Sequence, residues 1–317
     1  MKFELRREWC RPARLLAPWW WLAVLALLAS CGGGDRVTTF TPERLIAFGD
    51  ESSVITTDGK KHTVNAVDAA GAIACASNHN WVLYLSQVFG LVFAQCNPSA
   101  ATVTAIDYAA AGAKVADIST QIDLHLASGG FRSKDLVTVL AGANDVIEQY
   151  RLFPGVSEAT LIATVEARGT ALAAQVNRIA QAGGKVLIST VPDLSLSPFA
   201  IAENAADPTT DRAALIGRLV DRFNARMRIN LINDGTMIGL VFGDQVVQLM
   251  VRIPANYSLV NVTNVACTTA LPDCTTQTLV TGASADTWLW ADSLQLTPAG
   301  HRQLGASAEG RARNNPF

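Results

Sequence analysis

The sequence predicts one α/β domain with three layers, in which a mostly parallel sheet of five strands lies between two layers of helices. Five short apolar runs, rich in β-branched residues, alternate with longer segments that have helical periodicity. Continuous apolar runs of this length are typical of parallel strands that are buried on both faces. Because strands and helices alternate along the chain, we expect helices to cover both faces of the sheet.

The strands are predicted where the apolar runs lie. In chain order, these runs are residues 45–48, 103–108, 136–141, 186–191 and 238–242. Ligands bind beside the carboxyl ends of the strands in open sheets of this kind. Glycine and polar residues follow the first three runs closely, so the sequence places a candidate site at that edge of the sheet.

Two long helices are predicted between the later strands. Residues 157–182 carry alanine and leucine at helical spacing, with Ser157 as the N-cap and Gly183-Gly184 as the terminator. Residues 208–233 form the second helix, and its apolar face consists of Leu215, Leu219, Phe223 and Met227. The threonine-rich stretch 256–286 is predicted to be a long loop within the same domain.

The composition favours a folded domain and excludes a surface for nucleic acid. Half of the 317 residues are apolar and 16% are charged, which is enough for a sizeable core. The formal net charge is −2, and the first thirty residues hold five basic and two acidic side chains. The rest of the chain has 20 basic and 25 acidic residues, a net charge of −5, and no Lys/Arg run. Proteins that bind nucleic acid need clustered positive charge, which this chain lacks.

Residues 1–30 have the pattern of a lipoprotein signal peptide. Basic residues precede an apolar stretch at 15–29, which is short for a bilayer span. The stretch ends in Leu28-Ala29-Ser30-Cys31, which resembles a lipobox, so Cys31 is expected to become the acylated first residue. An uncleaved anchor helix is the alternative.

The residue after the lipidation site indicates where the lipoprotein is sorted. Gly32 stands where an aspartate usually retains lipoproteins in the inner membrane. By that rule, we expect an outer-membrane lipoprotein that faces the periplasm or the cell surface and contacts the membrane through lipid on Cys31. Residues 31–42 are the expected lipidated cysteine and tether, 43–310 the folded domain and 311–317 a C-terminal tail.

Four further cysteines predict disulfides. If Cys31 carries lipid, the other cysteines of the mature chain are Cys75, Cys96, Cys267 and Cys274. An even number in an oxidising compartment indicates disulfides, and three pairings are possible. We prefer the local pairing, Cys75 with Cys96 and Cys267 with Cys274. No spacing typical of a zinc site is present.

Four sequence blocks lie at the predicted strand ends and near the C-terminus. They are Phe48-Gly49-Asp50-Glu51-Ser52, the glycine Gly112, Gly142-Ala143-Asn144-Asp145 and Asp292-Ser293-Leu294-Gln295. Their order and intervals resemble the blocks of the SGNH (GDSL-type) hydrolases, which are Gly-Asp-Ser, a glycine, Gly-x-Asn-Asp and Asp-x-x-His. The resemblance spans residues 45–305, and four blocks together are much more specific than any one of them.

The resemblance implies hydrolysis of carboxylic esters of lipids or carbohydrates, without a cofactor. In this chemistry a serine attacks the ester, and a histidine oriented by an aspartate removes the serine proton. By resemblance, Asp292 is the orienting acid, and the backbone N–H of Gly112 and the side chain of Asn144 hold the oxyanion. The expected partner is a small acyl-ester or glycan ligand, and no protein partner is indicated.

Two positions depart from the family pattern. Glu51 stands where the nucleophilic serine is expected, and the nearest hydroxyl belongs to Ser52. Gln295 stands where the catalytic histidine is expected, and an amide does not accept a proton at neutral pH. His301 lies nearby in sequence, but Thr297 is predicted to cap a new helix that holds this histidine in its first turn.

These departures leave three interpretations. In the first, a degenerate hydrolase binds an acyl or glycan ligand without turning it over. In the second, an active esterase uses Ser52 as nucleophile and His301 as base, with Asp292 or another acid orienting the base. In the third, Glu51 acts as a general base on water while the oxyanion donors polarise the carbonyl. We favour the first, because losing either the nucleophile or the base costs on the order of a millionfold in kcat.

Several polar residues near the blocks have simpler expected roles. If the site is degenerate, Glu51 is expected to accept hydrogen bonds from the oxyanion donors and fill the site. Asp50 is expected to bond to backbone N–H groups and hold its loop. The segment Lys60-Lys61-His62 is predicted to be a solvated turn, and its histidine is assigned a surface role because no motif surrounds it.

Overall fold

Five parallel strands form the central sheet of the computed structural model, which describes residues 40–317. In chain order they are β1 (Arg44–Gly49), β2 (Ala105–Asp107), β3 (Asp135–Leu140), β4 (Lys185–Ser189) and β5 (Ile238–Val241). Their order across the sheet is β2-β1-β3-β4-β5, and every neighbouring pair is parallel. The predicted fold class is confirmed, and each strand overlaps one of the five apolar runs, with strand bounds that differ from the predicted ones by at most two residues.

Helices follow the strands on both faces of the sheet. They are α1 (Trp81–Val88), α2 (Val115–Ala127), α3 (Ala143–Tyr150), α4 (Glu158–Gln181), α5 (Pro198–Ala206), α6 (Arg212–Asn230), α7 (Gly243–Arg252) and α8 (Pro298–Asn314). The Ser157 hydroxyl caps α4 as predicted, accepting from the backbone N–H of Thr160 at 3.3 Å. Helix α6 begins later than predicted because the Asp211 side chain caps it, accepting from Ala214 N at 2.9 Å.

Alternate residues of each strand point to opposite faces of the sheet, and each face has its own core. On one face, Ile46, Val137 and Ile188 pack with buried residues of α2, α3, α4 and α6. On the other face, Leu45 and Leu187 pack with buried residues of α1 and α8. The three layers therefore form because alternate apolar residues of each strand pack against helices on opposite faces of the sheet.

The predicted loop at 256–286 contains one strand of a small second sheet, whose other strand follows the loop. Strands β6 (Asn261–Val265) and β7 (Trp288–Trp290) pair in parallel, and a disulfide joins Cys267 to Cys274 between them. A second disulfide joins Cys75 to Cys96. These are the two local pairs. The predicted signal peptide, the lipidated Cys31 and residues 32–39 of the predicted tether lie outside the described residues.

The folded unit extends beyond the expected boundaries at both ends. Phe40 is buried, three residues before the predicted start at 43. Helix α8 continues to Asn314 with Ala312 fully buried, and the ring of Phe317 packs against Phe40 with 5.4 Å between centroids. Residues 311–317 are thus part of the domain, not a free tail, because their apolar members cover the core. No helix within residues 40–317 is long and apolar enough to cross a membrane.

Candidate active site

Loops after β1, β2 and β3 meet at the carboxyl edge of the sheet, as the sequence predicts. The first loop turns at Gly49, where φ is +152° and a Cβ atom would lie only 2.3 Å from the carbonyl oxygen of Leu140. Only glycine allows the ends of β1 and β3 to approach this closely. This approach brings the residues that follow Gly49 next to Asn144 at the start of α3.

The Glu51 carboxylate occupies both of the expected oxyanion donors. Its Oε1 accepts from the backbone N–H of Gly112 at 2.7 Å, and its Oε2 accepts from Asn144 Nδ2 at 2.8 Å. Both contacts are charge-assisted hydrogen bonds of normal length. They are the contacts expected for Glu51 in a degenerate site. They also leave neither donor free to polarise a carbonyl, which the water-activating role of Glu51 would require.

Ser52 and Gln295 are joined to each other. The Ser52 hydroxyl donates to Gln295 Oε1 at 3.3 Å, so the amide contacts the hydroxyl at the position where the family has a histidine. The neighbouring Ser53 is fully buried and accepts from Trp81 Nε1 at 3.1 Å, which excludes it from the site. Ser52 is therefore the one serine of this loop whose hydroxyl reaches the site.

A narrow cavity lies beneath Ser52 and Gln295. Its volume of about 20 Å³ has room for a single water molecule. Its polar lining consists of Asp50, Ser52, Asn144, Gln295 and His301, and its apolar lining consists of Leu140, Ala143, Ile147, Pro192, Leu194, Leu294, Leu296 and Leu304. The cavity brings together residues from all the predicted blocks except the glycine block.

Asp292 holds the loop on which Gln295 lies. Its Oδ1 accepts from the backbone N–H groups of Leu294 at 2.8 Å and Gln295 at 2.6 Å. The structure shows no hydrogen bond between Asp292 and a histidine within residues 40–317. Asp292 therefore holds the backbone of its loop in place. The side chain that it would orient in the family is a histidine, and here that position is Gln295.

His301 lies in the first turn of α8, where the Thr297 cap predicts it. The residue is 1% exposed, and neither ring nitrogen has a hydrogen-bond partner in the described part of the chain. Burial, together with the charge of Lys61, lowers the pKa of His301 to about 3. A neutral, weakly basic imidazole is a poor proton acceptor, so this environment argues against the proposed role of His301 as the base.

Asp50 is buried beneath the site. Its Oδ1 accepts from Ser52 N at 3.1 Å, the loop-holding role that the sequence predicts, whereas Oδ2 has no partner among the residues described. Burial, and secondarily the charge of Glu51, raises the pKa of Asp50 to about 8. Asp50 is therefore largely protonated at neutral pH, and its carboxyl group can act as a hydrogen-bond donor.

The prediction of a solvated turn at 60–62 is wrong for Lys61. This side chain is fully buried, and its Nζ donates to the carbonyl oxygens of Cys75 at 2.7 Å and Ser77 at 3.1 Å. His62, beside it, is half-buried. Burial lowers the pKa of His62, and the charges of Glu51 and Asp292 act in the opposite direction. No sequence motif or spacing predicts the burial of Lys61, because its partners are backbone carbonyls of a separate segment.

The parallel sheet, the position of the expected oxyanion donors at its carboxyl edge and the loop held by Asp292 match the arrangement that the four blocks predict. The chain belongs to the GDSL-like lipase and acylhydrolase family, whose model matches residues 45–307. This match agrees with the resemblance carried by the four blocks.

Solved structures similar to this chain have low sequence identity to it. A GDSL-like lipase from Parabacteroides merdae ATCC 43184 is 13% identical, with 86% of this chain and 97% of that chain covered and a TM-score of 0.48. An acetylxylan esterase from Geobacillus stearothermophilus is 14% identical, with 88% and 98% covered and a TM-score of 0.45. A member of the lipolytic G-D-S-L family from Veillonella parvula DSM 2008 is 10% identical, with 84% and 96% covered and a TM-score of 0.41. No curated protein matches the chain.

Proposed function

We propose that this family member binds an acyl-ester or glycan ligand without hydrolysing it. The observation that carries the proposal is the position of the Glu51 carboxylate, which lies 2.7 Å from Gly112 N and 2.8 Å from Asn144 Nδ2. An ester carbonyl cannot use these donors while the carboxylate holds them. A negative charge at this point also opposes the build-up of a second negative charge in a tetrahedral intermediate.

The second substitution supports the same proposal. Ser52, whose hydroxyl reaches the site, donates to an amide oxygen at Gln295, and amides do not take up a proton at neutral pH. Ser52 therefore has no base within hydrogen-bond reach among the described residues. Loss of the nucleophile or of the base each lowers kcat by about a millionfold in serine hydrolases.

An active esterase is the second candidate, and one observation favours it. Ser52 lines the same cavity as Asn144 and Gln295, so the hydroxyl is near one of the oxyanion donors despite the one-residue shift in the loop. If Glu51 moved away from Asn144 when an ester bound, Ser52 would be the group positioned to attack it. Activity of the parent protein that is lost in Ser52→Ala would support this candidate.

The deciding experiment is hydrolysis of p-nitrophenyl acetate by purified protein. Four forms are compared: the parent, S52A, the double variant E51S/Q295H and the matched control E51A/Q295A. The parent, S52A and the control are expected to match buffer. E51S/Q295H restores the nucleophile and base types at their family positions, and we expect its rate to exceed that of the control by roughly tenfold or more.

Binding is measured separately by calorimetry, with an acetylated oligosaccharide and a short-chain fatty-acid ester as probes. We expect the parent to bind at least one of them, and E51S/Q295H to hydrolyse the one that binds. Turnover by the parent at a rate that S52A abolishes would overturn the proposal in favour of the esterase. Absence of binding to both probes would contradict the ligand class.

We also propose that the chain is an outer-membrane lipoprotein, anchored through Cys31 and facing the periplasm or the cell surface. The lipobox-like sequence before Cys31 and the glycine after it support this proposal. The bonded pairs Cys75–Cys96 and Cys267–Cys274 agree with an oxidising compartment.

Metabolic labelling with an alkyne fatty acid tests the anchor in cells that produce the full chain. The parent is expected to take up the label and sediment with outer membranes. Cys31→Ser is expected to lose both properties, because only the cysteine thiol can carry the lipid. Cys10→Ser is the matched control, since Cys10 lies within the predicted signal peptide and should not affect labelling. Equal labelling of the parent and C31S would contradict the proposal.

A further inference from the structure

Two buried side chains at the candidate site have polar atoms without hydrogen-bond partners. Asp50, on the loop after β1, and His301, in the first turn of α8, are each 1% exposed. Within residues 40–317, Asp50 Oδ2 and both ring nitrogens of His301 have no partner. Buried polar atoms of folded proteins are nearly always paired, with protein groups or with ordered water, because leaving them unpaired is costly. These atoms therefore require a further hydrogen-bonding group.

Both side chains line the same cavity. It lies beneath Ser52 and Gln295, and its volume of about 20 Å³ has room for one water molecule. Asp50 and His301 are more than 200 residues apart in sequence, and no hydrogen bond joins them directly in the described structure. Because the cavity has room for only one such molecule, a group that binds in it lies beside both side chains.

The polar lining offers a water molecule the hydrogen bonds that it needs. A buried water typically makes about three such bonds. Asp50 Oδ2 and one ring nitrogen of His301 supply two of them. The Ser52 hydroxyl lines the same cavity and donates to Gln295 Oε1 at 3.3 Å, so its oxygen can accept a third bond from the water. One water can therefore satisfy groups of the β1 loop and of α8 together.

The protonation states of the two groups suit a water between them. Burial, and secondarily the charge of Glu51, raises the pKa of Asp50 to about 8, so its carboxyl group can donate at neutral pH. Burial lowers the pKa of His301 to about 3, so its ring is neutral and offers one donor and one acceptor. Water both donates and accepts, and it can therefore pair with each of these groups.

An apolar group is a poor occupant of this cavity. A methyl group would suit the apolar part of the lining, but it would leave the Asp50 carboxyl group and the His301 ring without partners. Displacing an ordered water by a group that cannot reproduce its hydrogen bonds lowers affinity. We therefore expect the acyl end of a ligand to stay on the outer side of Ser52 and Gln295.

We propose that this cavity binds one water molecule between the Asp50 carboxyl group and the His301 ring, and that the ligand binds outside it. The water joins the loop after β1 to helix α8 beneath the ligand site. Its binding does not depend on whether the protein hydrolyses esters. The second part, on the position of the ligand, rests on the proposed binding function.

Crystal structures of the parent and His301→Leu, at a resolution that shows ordered water, test the first part. In the parent we expect density for one water within about 3.2 Å of Asp50 Oδ2 and of a His301 ring nitrogen, and in H301L we expect none there. A parent crystal under xenon pressure is expected to show no xenon in the cavity, because xenon enters dry, apolar cavities.

Four results of these crystal structures would overturn the first part. They are a parent cavity without density, xenon bound in the parent, a direct hydrogen bond between Asp50 and His301, and a water that stays in place in H301L. The parent crystals alone decide the first three, so the test does not depend on the folding of the variant.

Urea unfolding of the parent, D50L, H301L and D50L/H301L checks the link in solution. If one water bonds to both side chains, the second substitution removes less than the first. We therefore expect H301L to change the unfolding equilibrium constant at least fivefold less in D50L than in the parent. Gly310→Ala, also in α8, is the control and should have the same effect in both backgrounds, since a Cβ atom there meets nothing within 4 Å. Additive effects of D50L and H301L would contradict a shared water.

Parent crystals soaked with the acetylated oligosaccharide test the second part. We expect the water to remain and the acetyl group to lie outside the cavity. An acetyl group inside the cavity, in place of the water, would overturn the second part. If the oligosaccharide and the fatty-acid ester both fail to bind, the second part falls with the proposed binding function, whereas the structure of the free protein still decides the first part.

Discussion

At the scale of single residues, the length of the side chain at position 51 decides what the oxyanion donors hold. A serine hydroxyl at this position would end one bond beyond Cβ and leave the donors free for a substrate. The Glu51 carboxylate extends two bonds further and reaches both Gly112 N and Asn144 Nδ2. Each donor then binds a different oxygen of the carboxylate, whereas in an acyl-transfer site both would bind the one oxygen of the developing oxyanion.

Asp50 gives a prediction about the pH dependence of stability. Its pKa rises from 3.8 to about 8 in the folded protein, because burial and then the charge of Glu51 favour the neutral form. Between these pH values the folded state binds more protons than the unfolded chain, so the free energy of unfolding falls as the pH rises. An asparagine at this position keeps an acceptor for Ser52 N and cannot ionise.

Asp50→Asn is therefore expected to be increasingly stabilising relative to the parent as the pH rises from about 4 to about 8, by up to a few kcal/mol. Urea unfolding at several pH values measures the difference. Glu51→Gln, which removes the second cause of the shift, should reduce this difference. Parallel pH curves for the parent and D50N would show that Asp50 is already ionised in the folded state.

At the scale of elements, a glycine determines how closely α4 and α6 pack. A Cβ atom on Gly169 would lie 2.3 Å from the carbonyl oxygen of Phe223 and 3.2 Å from Met227 N, both of which belong to the backbone of α6. Neither atom can rotate away, so a side chain would force the helices apart. This close approach lets Phe223 reach the core beneath Gly142, at the start of α3.

Gly169→Ala is expected to destabilise the protein by about 1–3 kcal/mol, although alanine is the better helix former. Gly310→Ala in α8 is the matched control. A Cβ atom there meets nothing within 4 Å, so we expect a gain of about 0.5–1 kcal/mol. Denaturant unfolding of both variants measures these changes. Equal changes in the two variants would mean that the α4–α6 contact does not restrict position 169.

At the scale of the whole molecule, the two hydrophobic cores and the Cys75–Cys96 disulfide stabilise different segments around the site. The core on either face of the sheet fixes the loops after β1 and β3, since Phe48 and Leu140 are both fully packed. The Cys75–Cys96 disulfide ties down the long segment between β1 and β2, in which Lys61 bonds to Cys75 O. The segment that contains Lys61 is thus held by a disulfide, whereas Gly112 and Asn144 lie in segments that directly follow strands of the sheet.

The sequence by itself determined the fold class, the approximate strand positions, the helix caps Ser157 and Thr297, and the family. Only a few layer architectures can bury apolar strands that alternate with amphipathic helices. The four blocks occur in the order and at the intervals typical of the family. Local chemistry also determined that Glu51 and Gln295 could not act as nucleophile and base. These conclusions need only the identity and spacing of residues.

Only the tertiary structure decided which polar groups meet. Lys61 is buried although its neighbours in sequence look solvated, because its partners are the carbonyls of Cys75 and Ser77. The Thr63 hydroxyl donates to the carbonyl oxygen of Leu296 at 2.8 Å, a contact between segments more than 200 residues apart in sequence. The physical reason is that burial and electrostatic fields depend on contacts between distant segments, which have no periodic signature along the chain.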